Sequence, residues 1–117
     1  MAEEFTITLE EKLALETICK EAINLADALV RLQNNNDFKL FMKEFCEREP
    51  VRLTELLADP ALFSNTETKE FNRNNIHEQL LGIAVFKQYQ RVIMIKAEQA
   101  KKQLLDLSEA KIEDYVN

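Results

Sequence analysis

Apolar residues recur along the N-terminal part of the chain at alternating steps of three and four residues. This row consists of Leu15, Ile18, Ala22, Leu25, Leu29 and Leu32. Such spacing places the side chains on one face of an α-helix and is typical of the seam of a coiled coil or helical bundle. Four more apolar residues widen the face on one side: Cys19, Ile23, Ala26 and Val30. The pattern predicts a helix from Leu9 to about Gln33 that is covered by more than one neighbour.

Polar residues indicate where the helices begin and end. Thr8 and Glu11 have the spacing of a capping box, in which the Thr hydroxyl accepts a hydrogen bond from an amide of the first turn. The polar run at residues 34–37 should stop the first helix, because Asn tolerates the left-handed conformation and Asn or Asp can cap the next helix. Ser64 and Glu67 offer a second capping box before the last helix.

Two short helices are predicted after the first one. The second helix covers about residues 38–49 and carries an apolar face of Phe38, Phe41, Met42 and Phe45. Pro50 either ends or kinks this helix or occupies the first turn of the third helix. The third helix ends near Asp59 and Pro60, and residues 61–65 form the main connection.

The remainder of the chain, from about Asn65, is predicted to be a single long helix. Its buried face is expected to contain Phe71, Ile76, Leu80, Ile83, Phe86, Tyr89, Ile93, Ala97, Ala100, Leu104 and Leu107. Gly82 lies in the middle, where glycine costs up to about 1 kcal/mol relative to alanine. We attribute this glycine to close contact with another helix, in preference to a hinge.

The predicted last helix is too long for the helices before it to cover. At 1.5 Å per residue, roughly 45–50 residues extend about 70 Å, against about 38 Å for the first helix. The apolar end must be buried by a second copy of the chain, by another protein or by a bend that folds it back. We therefore predict partner-binding residues near the C-terminus: Ala97, Ala100, Leu104, Leu107, Ile112 and Val116.

These elements predict one all-α domain over residues 1–117. The expected architecture is a helical bundle with a long N-terminal helix, two short helices and a long C-terminal helix. Residues 1–7 are expected to form a flexible lead, and residues 97–117 a helical extension that can protrude. Only one glycine and two prolines occur among 117 residues, so positive-φ turns, hairpins and phosphate loops have few residues to build them.

The charge and the candidate chemical groups favour a binding protein over an enzyme. A net charge of −6 disfavours nucleic acid or an anionic membrane as the main partner. Cys19 and Cys46 are expected to be reduced thiols in the core. Together with the single histidine, His77, they cannot form the usual zinc tetrad. We predict no catalytic residues, metal, cofactor or small-molecule substrate.

His77 and the charged clusters each have an ordinary structural explanation. His77 is expected at the surface, because its neighbour Glu78 does not face it on a helix. A basic cluster is formed by Lys39, Lys43, Arg48 and Arg52, and Arg31 can join it. This cluster either pairs with nearby glutamates or binds an acidic surface or a phosphate.

The acidic residues and the phenylalanines form two further groups. The acidic residues Glu10, Glu11, Glu16 and Glu21 are interrupted by lysines, and Glu16 can pair with Lys20. Six phenylalanines are expected to build one aromatic core or, alternatively, to line a docking groove: Phe38, Phe41, Phe45, Phe63, Phe71 and Phe86.

Three stretches resemble a family of small, all-helical, largely uncharacterised proteins of tailed bacteriophages. They are residues 31–38, residues 52–60, and residues 79–83 followed by Tyr89, Ala97, Glu98 and Ala100. The pair Glu49 and Pro50 departs from the acidic or neutral pair usual before the third helix and is expected to sharpen the bend. The resemblance implies a virion or assembly gene context and carries over no catalytic or binding residue.

We therefore expect a non-catalytic structural or assembly protein of a tailed phage. Its partners would be further copies of itself or other phage structural proteins, joined by helix-to-helix contacts. The N-terminus lacks the features of a signal peptide and no apolar run is long enough for a membrane span, so we expect it in the host cytoplasm or in the virion. The alternative is an early accessory protein that inhibits a host enzyme or defence factor through its acidic surface.

Overall fold

Helices make up most of the computed structural model, which describes residues 6–112 of the chain. The helical elements are α1 (Leu9–Gln33), α2 (Asn36–Met42), a π-helical turn (Lys43–Arg48), α3 (Glu49–Leu56), α4 (Pro60–Phe63) and α5 (Lys69–Ser108). Two short strands, β1 (Thr6–Ile7) and β2 (Lys111–Ile112), flank them. The predicted all-α class, with a long N-terminal and a long C-terminal helix, is confirmed.

The first helix begins and ends where the sequence predicts. The Glu11 amide donates a hydrogen bond to Thr8 Oγ1 at 3.1 Å, which satisfies one of the free amides in the first turn of α1. After α1 the Phe38 amide donates to Asn35 Oδ1 at 3.1 Å. Asn35 is therefore the residue of the polar run that caps α2.

The N-terminal lead contains a strand that the sequence analysis misses. Thr6 pairs with Lys111 and Ile7 with Ile112 in a parallel ladder, and Ile7 is buried. The expectation of a flexible lead is therefore wrong for Thr6 and Ile7, while residues 1–5 lie outside the described part of the chain. Burial of one apolar side chain holds this short pair in place, because two residues give too little backbone pairing alone.

Pro50 explains the π-helical turn that joins α2 to α3. Proline has no amide hydrogen, and its ring collides with the carbonyl four residues earlier in a regular α-helix, which here belongs to Cys46. The helix widens just before this point, and the Glu49 amide donates to the Glu44 carbonyl, five residues back. The helix thus continues from residue 36 to residue 56, with Pro50 in the first turn of α3.

The connection before α5 differs from the prediction. Asp59 caps the four-residue helix α4 by accepting a hydrogen bond from the Ala61 amide at 2.9 Å. The Glu67 amide donates to Asn65 Oδ1 at 2.9 Å, so Asn65, and not the expected Ser64, supplies the side-chain acceptor in this connection. A turn follows Asn65, and α5 begins only at Lys69.

The chain divides into two compact units, residues 31–91 and residues 1–30 with 92–117. The buried core of the 31–91 unit consists of Cys46, Leu53, Ile76 and Ile83. Partly buried side chains pack around these residues: Met42, Phe45, Leu56, Leu57, Leu62, Phe63, Leu80 and Phe86. This core brings the π-helical turn, α3 and the first half of α5 together.

The second unit is an antiparallel packing of α1 against the C-terminal part of α5. Ala26 and Leu29 form a buried cluster with Ile93 and Ala97. Farther along the pair, the Cys19 thiol donates a hydrogen bond to Gln103 Oε1 at 3.4 Å. These contacts show that α1 itself covers the C-terminal half of α5.

The buried part of α1 is narrower than the predicted face. Leu29 is buried as expected, and so are Cys19 and Ala26 from the side that widens the face, whereas Ile18 and Leu25 of the predicted row are exposed. Leu32, the last residue of the predicted row, is exposed as well.

The predicted buried face of α5 is largely correct, apart from Phe71 and Tyr89, which are exposed. Gln90 is half-buried in place of Tyr89. Its side chain accepts a hydrogen bond from Gln33 Nε2 at 3.2 Å and donates one to Met42 Sδ at 3.8 Å. Sequence patterns select apolar residues and therefore miss a glutamine that lies at the edge of a core.

Gly82 does not mark a close helix contact, contrary to the prediction. A Cβ atom at this position would meet no atom within 4 Å, and Gly82 is exposed in the middle of α5. We expect Gly82→Ala to raise the free energy of unfolding by about 0.5–1 kcal/mol, because alanine has the higher helix propensity. Urea denaturation measures this change. The reverse substitution at the exposed Ala84, Ala84→Gly, should lower stability by a similar amount, and destabilisation by Gly82→Ala would contradict the open environment.

Leu107 and Leu105 provide a matched test of the packing at the end of α5. Leu107 is 1% exposed and Leu105 is 62% exposed. Leu107→Ala should lower the free energy of unfolding by about 2–5 kcal/mol, because it removes buried apolar surface and leaves a cavity. Leu105→Ala should change it by less than about 0.5 kcal/mol. Equal effects of the two substitutions in thermal or urea unfolding would show that this part of α5 is not packed as described.

Candidate interaction surfaces

Most of the predicted partner-binding residues lie inside the chain. Ala97, Ala100 and Leu107 are buried, and Leu104 is half-buried. Ile112 lies in β2 and is partly exposed, while Val116 is outside the described residues. Residues 97–108 therefore do not protrude, because α1 covers the face that was expected to need a partner. Binding through this face stays a prediction, and it would require α1 to separate from α5.

An exposed apolar row lies on α5 within the 31–91 unit. Leu81, Val85 and Tyr89 follow one another at steps of four residues and are 63%, 58% and 58% exposed. A step of four keeps side chains on neighbouring positions of one helix face. This face is opposite the buried residues Ile76 and Ile83, since successive residues turn by about 100°. We call these three residues the α5 outer row.

The other unit exposes a shorter apolar row on α1. Ile18 and Leu25 lie seven residues apart on the same helix face, and both are exposed. They belong to the predicted row of α1, but their neighbours Cys19 and Ala26 are the residues that are buried. Scattered apolar residues are normal on protein surfaces, and this pair is less continuous than the α5 outer row.

The two arginines of the predicted basic cluster are paired with glutamates. Arg48 Nη1 lies 2.5 Å from Glu44 Oε1, one helical turn away. Arg52 makes two hydrogen bonds to the Glu49 carboxylate, of which the Nε–Oε2 bond is 3.0 Å long. These bonds from Arg52 lower the pKa of Glu49 below its ordinary value. The arginines thus follow the structural explanation offered in the sequence analysis.

The two lysines of that cluster have a different environment, because they face a cleft. Its volume is about 510 Å³, and it is lined by Lys39, Met42, Lys43, Cys46, Glu47 and Lys87. Lys87 comes from α5, so two separate helical stretches supply the positive charges. Within the described residues, none of the three ammonium groups lies within 4.0 Å of a carboxylate oxygen. We call this feature the lysine cleft.

Cys46 lies in the lysine cleft as a buried thiol with limited reactivity. Its Sγ atom is 3.9 Å from Met42 Sδ. Burial raises the pKa of the Cys46 thiol, the charge of Lys87 lowers it and the charge of Glu47 raises it, and the net direction is upward. Because the thiolate is the nucleophilic form, this arrangement does not activate the cysteine. Cys19 and Cys46 are both unpaired and buried, as the sequence predicts.

The phenylalanines do not form the single aromatic core that the sequence predicts. Phe41 stacks on Phe45 at 5.6 Å, and Phe45 meets Phe86 edge-on at 5.6 Å between ring centroids. Phe41 is nevertheless half exposed at 52%, and Phe71 is 72% exposed. Phe41 and Phe45 also line a small groove of about 200 Å³ with Glu44 and Glu49. The rings therefore contribute both to the core and to the surface.

The remaining charged candidates are ordinary surface residues. His77, Glu10, Glu11 and Glu21 are exposed. Glu16 lies 4.0 Å from Lys12 Nζ, so Lys12 is its neighbour in place of the expected Lys20.

Among residues 6–112, no group of three His, Cys, Asp or Glu side chains has the geometry of a metal site. None of the described helices combines the length and the apolar character that crossing a bilayer requires.

No protein-family model, curated protein or solved structure matches this chain. The resemblance to small tailed-phage proteins is therefore supported only by the residue patterns given above. Function has to be argued from the surfaces themselves, of which the α5 outer row and the lysine cleft are the most distinctive.

The charges beside Cys46 provide a test of the cleft geometry. In a Cys19→Ala background, Lys87→Gln should raise the pKa of the Cys46 thiol, because it removes the positive charge that favours the thiolate. Glu47→Gln should lower it, since the nearby negative charge is lost. The pH dependence of alkylation by iodoacetamide measures both changes. Shifts in the same direction, or no shift in either variant, would show that these side chains do not face the thiol.

Proposed function

We propose that this chain is a non-catalytic protein that associates with further copies of itself through α5, as a structural or assembly component of a tailed phage. The observation that supports the proposal is the α5 outer row, in which Leu81, Val85 and Tyr89 are all more than half exposed. An amphipathic helix needs only one apolar face to join its own core. A second apolar row on the opposite side of α5 favours contact with another helix.

The spacing of the row suits a symmetric contact between two copies. Two α5 helices that run antiparallel would place the two Val85 side chains at the centre and Leu81 of each copy against Tyr89 of the other. Such self-complementary contacts about a twofold axis are the commonest form of association between identical chains. Burial of the row would contribute about 25 cal/mol per Å² of apolar surface before the entropic cost of association.

The chemistry of the row supports a protein partner. The row contains no charged side chain, so another apolar helix face can cover it without removing a charge from water. The phage and virion context, and with it a location in the host cytoplasm or particle, is supported only by the resemblance of residues 31–38, 52–60 and 79–83.

Light scattering after size exclusion tests self-association of the full-length protein. We expect a defined oligomer for the wild type and dissociation to monomers for the double variant Leu81→Gln/Val85→Gln, because polar side chains remove the apolar surface of the row. Substitution of exposed residues is preferable to removal of the C-terminal part of α5, since Ile93 and Ala97 belong to a core.

A control with the same chemical change is available in the same unit. Leu40→Gln/Val51→Gln replaces one exposed leucine and one exposed valine outside α5, and it should leave the oligomer unchanged. Circular dichroism establishes that both variants keep their helices. A wild-type monomer at all concentrations would refute self-association and favour a foreign partner, as expected for an accessory inhibitor. An oligomer that persists in the α5 variant would refute the assigned surface.

A further inference from the structure

The lysine cleft has the charge and size of a binding site for a small anion. Lys39, Lys43 and Lys87 contribute three positive charges and Glu47 one negative charge, which leaves two net positive charges. The volume of about 510 Å³ is large enough to admit a small anion, and the exposed lysines leave the cleft open to solvent. This local excess stands out in a chain whose net charge is −6.

The three lysines come from two helical stretches that the fold brings together. Lys39 lies in α2 and Lys43 at the start of the π-helical turn, one turn apart on the same face. Lys87 approaches from α5 and lines the same cleft as Cys46. The π-helical turn also contributes Cys46 and Glu47 to the cleft. Turns of this kind are frequent at functional sites.

The lysines of the cleft differ from the neighbouring arginines, which form ion pairs with glutamates of the same helix. Arg48 and Arg52 each hold a glutamate three or four residues away. Glu47 lies at the position four residues after Lys43, yet within the described residues no oxygen of Glu47 is within 4.0 Å of a lysine nitrogen. The ammonium groups of Lys39, Lys43 and Lys87 therefore have their hydrogen-bonding capacity free for a ligand.

We infer that the lysine cleft binds a phosphate-type oxyanion. Lysine is a compact point charge with three donors and is a common phosphate ligand, and a phosphate group with about two negative charges matches the net charge of the cleft. The repulsion from the remaining acidic residues is screened beyond about 8 Å at physiological ionic strength. Met42 and Cys46 provide an apolar part of the lining on which the organic portion of a phosphate ester can rest.

Titration of the full-length protein with phosphates, followed by amide NMR shifts, tests this inference. Inorganic phosphate, inorganic pyrophosphate and phenyl phosphate serve as probes, with sodium chloride at matched ionic strength as the reference. We expect saturable shifts confined to residues 39–47 and to the part of α5 around Lys87. Tighter binding of phenyl phosphate than of inorganic phosphate would identify an ester as the ligand, and equal binding would identify the free anion.

Two sets of lysine substitutions that change the net charge by the same amount distinguish a specific site from non-specific attraction between the protein and the anion. Each of Lys39→Gln, Lys43→Gln and Lys87→Gln should weaken binding by about two- to fivefold, as expected for partly exposed charges, and the triple variant should show no saturation. The control replaces three exposed lysines outside the cleft, Lys20, Lys96 and Lys102, with glutamine and should bind as the wild type does.

Two outcomes would overturn the inference. One is the absence of saturable shifts with any of the three probes, and the other is equal weakening in the control and the cleft variants, which would indicate general ionic attraction. Because the test uses shifts in the cleft and the proposed function uses oligomer mass, failure of one is distinguishable from failure of the other.

Discussion

Burial of one face of α5 is the interaction on which the rest of the structure depends. Ile76 and Ile83 belong to the core of residues 31–91, and Ile93 and Ala97 belong to the core formed with α1. Among residues 6–112 no polar or charged side chain is fully buried. The fold is therefore held mainly by the removal of apolar surface from water. Its ion pairs lie on the exterior, where such pairs contribute little.

The sequence predicts those parts of the fold that local interactions determine. Thr8 and the polar run after Gln33 set the limits of α1, because free amides at a helix end require nearby acceptors. Local interactions do not determine which residues of α1 are buried, since Ile18 and Cys19 both satisfy a spacing of three or four residues. Which of them is buried depends on the helix that faces them, and Cys19 is the one that meets Gln103 of that helix.

The contrast between local interactions and contacts made only on folding also explains which surface features the sequence predicts. The sequence predicts a partner seam among residues of α5 that α1 covers, because the sequence does not show that α1 reaches them. Lys39 and Lys43 were recognised as part of a basic cluster, but Lys87 joins them only through folding. The pairing of Arg48 with Glu44, by contrast, lies within one helical turn and is visible in the sequence.

The π-helical turn has a consequence for how this chain can change length. It holds more residues per turn than an α-helix, and Pro50 follows it directly. Loss of one residue between 43 and 48 would restore the narrower α-helix and leave the residues after it on nearly the same face, because the wider turn accommodates one extra residue. Leu53 would keep its side of the helix, but the proline ring would meet a carbonyl that it now avoids. Descendants of this sequence should therefore tolerate substitution in the turn far better than deletion.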